Sequence, residues 1–206
     1  MTIDFEDSFN YTHNIHKLIW EQLKTTFFPG DARSFLLLTY VAVALEHQES
    51  IYKLVESNLR GSAFALLRSQ VEATFRGLWA YGLATDEQIH AISQEGGEPF
   101  PTFRKMANDV DNAYNADGSF GNIVTTWKTL NNYTHTGIYQ LSRRIESRID
   151  GGIILRQSYP EESIAGMLLI SGGLSLLFLI AVFERLGFPD KVTILNEWSE
   201  NRKRNS

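Results

Sequence analysis

The segment Lys128-Thr129-Leu130-Asn131-Asn132-Tyr133-Thr134-His135-Thr136-Gly137 gathers the residue types best suited to chemistry in this chain. On a helix Asn131 and His135 share one face, as do Lys128 and Asn132. A histidine at a helix end beside a glycine is accessible, and its ring exchanges protons near neutral pH. An asparagine one turn away can orient that ring, or hold a phosphate or a nucleophile. Eight residues on, Arg143-Arg144 adds two guanidinium forks matched to phosphate or carboxylate. The plainer account of the same residues is a histidine hydrogen-bonded to its own loop and two solvated arginines.

A second charged pattern lies in Gly61 to Thr85, where 25 residues hold only three charges, Arg68, Glu72 and Arg76. Their i, i+4, i+8 spacing makes one narrow stripe on a helix whose other faces are apolar or small. So little charge implies a helix buried over most of its surface. The stripe must then face water, a cleft or charged partners, because isolated buried ions are costly. One reading is an ion pair that fixes helix register. The sharper one has Glu72 orienting Arg68 toward an anionic ligand or toward the His135 turn, with Arg76 as a further phosphate contact.

Metal and cofactor signals are sparse, and neither a metal nor a cofactor is expected. Glu87-Gln88-Ile89-His90 has the ExxH spacing of di-iron bundles but occurs in one copy on a short polar helix. His13-Asn14-Ile15-His16 could stack two imidazoles one turn apart, and His47 adjoins Glu46 and Glu49. No P-loop, GxGxxG after a strand, GxSxG elbow or HExxH occurs. The absence of cysteine excludes disulfides, zinc-thiolate sites, iron–sulfur clusters and cysteine nucleophiles.

The elements that must position these residues read as helices throughout. Asp7 or Ser8 caps a first helix reaching about Phe27, ahead of Pro29-Gly30; Asp31 caps a second, to about Asn58. After the brief Arg60-Gly61 break the charge-poor helix follows, so the two form an antiparallel hairpin. Short helices follow from Thr85, from Thr102 and over Asn122–His135, with turns at Asp117-Gly118 and Asp150–Gly152. Ile138 to Ile149 continues as a helix or looser segment. A long helix begins after Pro160 and stops at Gly187-Phe188-Pro189, and Asp190–Trp198 forms a last amphipathic helix. No set of alternating strands is present. The expected fold is all-α: a mainly antiparallel helical bundle with short extra helices, one domain over residues 1–200 and a basic disordered tail over 201–206.

A net charge of −5 argues against a broad nucleic-acid surface while leaving room for a local basic pocket. The N-terminal sequence has no signal-peptide pattern, and a cytoplasmic protein is expected. Ile164 to Phe183 is 20 residues without a charge, long enough to span a bilayer. It lacks aromatic anchors at its ends, so the expectation is a central core helix and no membrane.

The string Leu66-Leu67-Arg68-Ser69-Gln70-Val71-Glu72, with a later Asn131-to-His135 turn, resembles small bacterial relatives of the HEPN superfamily over roughly residues 30 to 185. The resemblance implies a four- to five-helix bundle that dimerises. It also implies either a metal-independent endoribonuclease of the toxin or phage-defence kind, or an inactive binder of nucleotide, RNA or protein such as an antitoxin. Active members carry R-x4-6-H, the arginine on the scissile phosphate and the histidine in acid–base chemistry. This chain departs from that motif: no arginine stands at that distance from His135, and Lys128 makes it K-x6-H. Carried over, His135 is the acid–base group and Asn131 or Asn132 positions the 2′-hydroxyl or phosphate. Arg68, Lys128, Arg143 or Arg144 then stabilises the phosphorane charge. The alternatives are a non-catalytic helical interaction module and, further off, a metal-bearing bundle.

Overall fold

The computed structural model describes residues 4–205 except 95, 98, 115–119, 121, 122, 136 and 148–152. The two turns expected at Asp117-Gly118 and Asp150–Gly152 lie outside the described residues. Helices α1 (Phe5–Lys24), α2 (Ala32–Glu56), α3 (Arg60–Gly82) and α8 (Glu161–Arg185) form the body of the bundle, with α9 (Pro189–Asn205) closing one side. Between α3 and α8 come α4 (Asp86–Ile92), α5 (Phe103–Ala113), α6 (Ile123–Thr134) and α7 (Ile138–Ser142). An antiparallel pair of three-residue strands, β1 (Ile145–Ser147) and β2 (Ile153–Leu155), precedes α8. The chain is thus an all-α bundle with one small hairpin.

Local chemistry accounts for most boundaries. Asp31 accepts hydrogen bonds from the Arg33 and Ser34 amides at the head of α2, and Thr85 and Gln88 form a reciprocal capping box at α4. At α1 the cap is Asp4, which accepts from the Asp7 amide, so the helix starts earlier than Asp7 or Ser8 would place it. Glu161 and Glu162 sit in the first turn of α8, where the helix dipole favours them.

The core is built around α3. Arg33 at the start of α2 donates to the carbonyls of Ala80 and Ala84 at the end of α3, which sets the pair antiparallel. Gly77 lets three helices meet, because a Cβ there would stand 2.8 Å from Tyr40 Cβ and 2.9 Å from Phe178 Cζ. On the same side Gln70, fully buried, donates to Ser171 O and Ser175 Oγ and accepts from Ser171 Oγ. Every polar atom of that amide is satisfied inside the protein, as burial requires.

Not all neighbours are antiparallel. Gln70 meets Ser171 while Tyr81 reaches Arg185, so α8 runs parallel to α3. Thr12 donates to Leu168 O while Phe28 stacks on Phe183, so α8 is also parallel to α1. The long excursion through α4–α7 and the hairpin returns the chain to the end where α3 began. The helix α8 is apolar and long enough to cross a membrane by composition, and 67% of its most apolar window is buried against other helices.

Two expectations are corrected. Residues 145–147, expected within a helix or looser segment running to Ile149, instead pair with 153–155 as antiparallel strands: α7 stops at Ser142, and the pairing extends past the strands as the Arg156 and Ser158 amides donate to the Arg144 and Arg143 carbonyls. The backbone of 201–205, expected as a disordered tail, continues α9. No Gly or Pro interrupts Trp198–Asn205, and basic residues suit a helix C-terminus.

Candidate functional site

The stripe on α3 faces α6. Glu72 meets Trp127 near the start of α6, and Phe64 stacks on Tyr133 near its end at 4.7 Å, so the two helices run antiparallel. This direction carries His135, just past α6, onto Arg68 two turns along α3. Arg68 Nη1 lies 2.7 Å from His135 Nε2. A guanidinium only donates. His135 therefore accepts through Nε2, and the ring proton resides on Nδ1 in this arrangement.

The arginine is held from two further directions. Its Nε donates to Glu72 Oε1 at 2.9 Å, and its Cζ lies 5.1 Å from the Trp127 ring centroid. Glu72 Oε1 also accepts from Trp127 Nε1 at 3.1 Å. Trp127 is itself stacked on Phe103 at 4.5 Å, which fixes the indole from α5. Arg68 and Glu72 are partly buried, with side-chain exposures of 18% and 26%, whereas His135 is exposed. One Nη1 hydrogen and the Nη2 group of Arg68 have no partner among the described residues.

Beside this cluster is a pocket of about 220 Å³ lined by Arg68, Glu72, Arg76, Phe100, Met106 and Trp127, among others. Arg76 lies over the Phe100 ring at 4.8 Å and forms no ion pair among the described residues. The site thus offers a cationic, aromatic-walled cleft with one carboxylate and one imidazole at its edge. Such a cleft suits an anion with a flat apolar portion.

A model for a family of unknown function, DUF6988, matches residues 41–191. The chain belongs to DUF6988. No curated protein and no solved structure matches it. The DUF6988 match begins inside α2 and ends inside α9, so it includes every residue of the cleft and leaves out α1.

Of the residues singled out from sequence, this DUF6988 chain brings Arg68, Glu72 and His135 into contact and sets Arg76 one turn further along the cleft. The others lie apart from that contact. Among the described residues Asn131 meets His135 through the backbone, its carbonyl accepting from the His135 amide, while its buried Oδ1 has no partner there. Asn132 turns to the following loop, where its carbonyl accepts from the Gly137 amide and Oδ1 lies over Gly137. Lys128 is exposed on α6. Arg143 and Arg144 sit by the hairpin at the opposite end of α3, Arg143 donating to Ser158 O and Arg144 lying over Gly61.

Trp127 was not among the residues singled out from the sequence. Its signal was there: Trp127, Asn131 and His135 recur every four residues and share a face. Phe100 gave no such signal, because it arrives on a loop. Among the described residues no three His, Asp or Glu side chains gather as a metal-ion set. His13 stacks on Tyr52 at 4.9 Å, and His16 pairs with Gln48.

Proposed function

We propose that this chain binds single-stranded RNA at the α3–α6 cleft and cleaves it by metal-independent transesterification. The observation that carries the reading is the 2.7 Å contact between Arg68 Nη1 and His135 Nε2, because it supplies from across the bundle the arginine that the local sequence before His135 lacks. The resemblance to HEPN proteins points the same way. It suggests a cytoplasmic, homodimeric protein of a defence or toxin–antitoxin system.

In this mechanism the 2′-hydroxyl oxygen attacks the adjacent phosphorus, the new P–O bond forms and the P–O5′ bond breaks. The products are a 2′,3′-cyclic phosphate and a free 5′-hydroxyl. Arg68 turns its Nη groups from the imidazole to the phosphate while Nε stays on Glu72. That move frees His135 Nε2 to take the hydroxyl proton, which the imidazolium then hands to the departing 5′ oxygen. The guanidinium then lies against the oxygens on which charge develops, where a preorganised cation lowers the barrier most. Arg76 and Phe100 receive the neighbouring nucleotide, by charge and by stacking. The test is cleavage of a single-stranded RNA in EDTA by wild type and His135→Ala; equal activity in both, or none in either, removes the mechanism.

A second reading, a protein-docking module, draws on one observation. The α7–hairpin region exposes Ile138, Ile153 and Leu155, each at least 70% open to solvent.

A further inference from the structure

A hollow of about 100 Å³ lies between α1 and α2 and shares no lining residue with the α3–α6 cleft. Two contacts across the helix pair frame it. Tyr52 of α2 stacks on His13 of α1 at 4.9 Å, and His16 of α1 reaches Gln48 and Glu49 of α2. Thr12 lines the α1 wall with its hydroxyl already engaged, donating to the Ser8 and Leu168 carbonyls. Lys53 and Glu49 stand at the solvent side as an ion pair. The surface so enclosed is almost entirely apolar.

Gln48 interrupts that apolar lining. Its side chain is fully buried, Oε1 accepts from His16 Nδ1 at 3.4 Å, and Nε2 has no partner. Turned end for end, the amide leaves Oε1 unmet instead, so one end is unanswered in either setting. The other fully buried glutamine, Gln70, has partners at both ends. A buried amide with an unmet end beside an open space calls for a partner from outside the chain.

Size and charge narrow the ligand. A cavity of about 150 Å³ holds benzene, so this smaller hollow takes a head of about four heavy atoms. Neither Lys53 nor His16 offers a free cation, since the first is paired with Glu49 and burial lowers the imidazole of the second below its ordinary 6.5. The Glu49 carboxylate further disfavours an anion. A carboxamide presents a carbonyl and an N–H side by side. It therefore meets Gln48 Nε2 and the second lone pair of Oε1 together, and it does so in either setting of the glutamine.

We propose that the hollow between α1 and α2 binds a small neutral carboxamide, its carbonyl accepting from Gln48 Nε2, its N–H donating to Oε1 and its apolar stem lying on the Tyr52 and His13 rings. The site is independent of the RNA reading of the cleft.

The test titrates propionamide into the full chain and follows the Gln48 side-chain amide and His16 ring resonances. A saturable shift is expected, with affinity at least about tenfold weaker for propionate and for butanone, each of which lacks the N–H. Gln48→Met keeps the length of the side chain and removes the amide. It should abolish the response read at the His16 ring, and propionamide should raise the Tm of wild type but not of this variant. The wild-type comparison of the three probes decides even where Gln48→Met does not fold. No saturable shift with propionamide, or equal affinity for all three probes, overturns the site. So does a long-lived water on Gln48 Nε2 that propionamide leaves in place, which makes the hollow a hydration site.

Discussion

Helix α3 carries two polar groups two residues apart in sequence that are treated in opposite ways. Gln70 turns to the core and spends every polar atom on Ser171 and Ser175 of α8. Arg68 turns to α6 and the cleft, contacts Glu72 and His135, and still holds unused donors toward an open pocket. Both are tied to another element by good hydrogen bonds, so bonding alone does not separate structure from function. The difference is what is left over. A satisfied buried amide joins helices; a half-buried cation with spare donors waits for something absent.

The sharpest way to break this contrast is His135→Ala. If Arg68 and His135 are chemical partners, RNA cleavage in EDTA falls by at least about 100-fold, the scale of lost acid–base catalysis, while Tm is unchanged because the ring is exposed. A matching loss of Tm instead makes the contact structural. Gln70→Leu should do the reverse. It strands the Ser171 and Ser175 hydroxyls in the core and costs about 2–3 kcal/mol in urea unfolding, with cleavage per folded molecule kept. Gly77→Ala, on the same core face, forces a methyl against Tyr40 and Phe178 and should cost about 1–3 kcal/mol. A neutral outcome there would show that α2 and α8 can part without loss. Arg68→Ala should lower stability by only about 1 kcal/mol, since its ion pair is partly exposed, and a loss as large as that of Gln70→Leu would erase the distinction between the two faces.

The smallest effect is in pH. Burial lowers the His16 and His47 imidazoles below their ordinary 6.5, so the unfolded chain takes up protons before the native one does. Stability is full above about pH 6.5 and declines as the pH falls below it. The double variant His16→Gln, His47→Gln should flatten the urea midpoint between about pH 7 and pH 5. An unaltered slope places the acid sensitivity elsewhere.

How much of this was legible follows from the range of the interactions. The α2–α3 hairpin, the Asp31 cap and the Pro160-Glu161-Glu162 start of α8 depend on neighbouring residues, and the sequence displays them. The first cap was misread because Asp4, Asp7 and Ser8 are all competent, and only packing of the first turn decides among them. The pairing of 145–147 with 153–155 was unreadable because three-residue strands leave too short an alternation to reveal a partner. Arg68, Glu72 and His135 each stood out by type, but their contact depends on α6 lying antiparallel on α3 in one register. No local rule encodes that register. The place of Arg144 was hidden for the same reason: Arg143-Arg144 is conspicuous, yet nothing nearby says that it folds back over Gly61.

The parallel seam between α1 and α8 bears on how the protein is made. Thr12 finds its partner carbonyl 156 residues later in the chain, at Leu168. During synthesis from the N-terminus, α2 and α3 can collapse together as soon as both have left the ribosome, whereas α1 has only its edge contacts with α2, such as His13 on Tyr52 and His16 on Gln48, until α8 appears. Its core side chains, Ile15 and Ile19, which end fully enclosed, remain bare until then. The nascent protein thus spends most of its synthesis with the α8-facing side of α1 unsheltered, so interruptions of translation ahead of α8 leave a sticky, incomplete bundle for chaperones or proteases to meet.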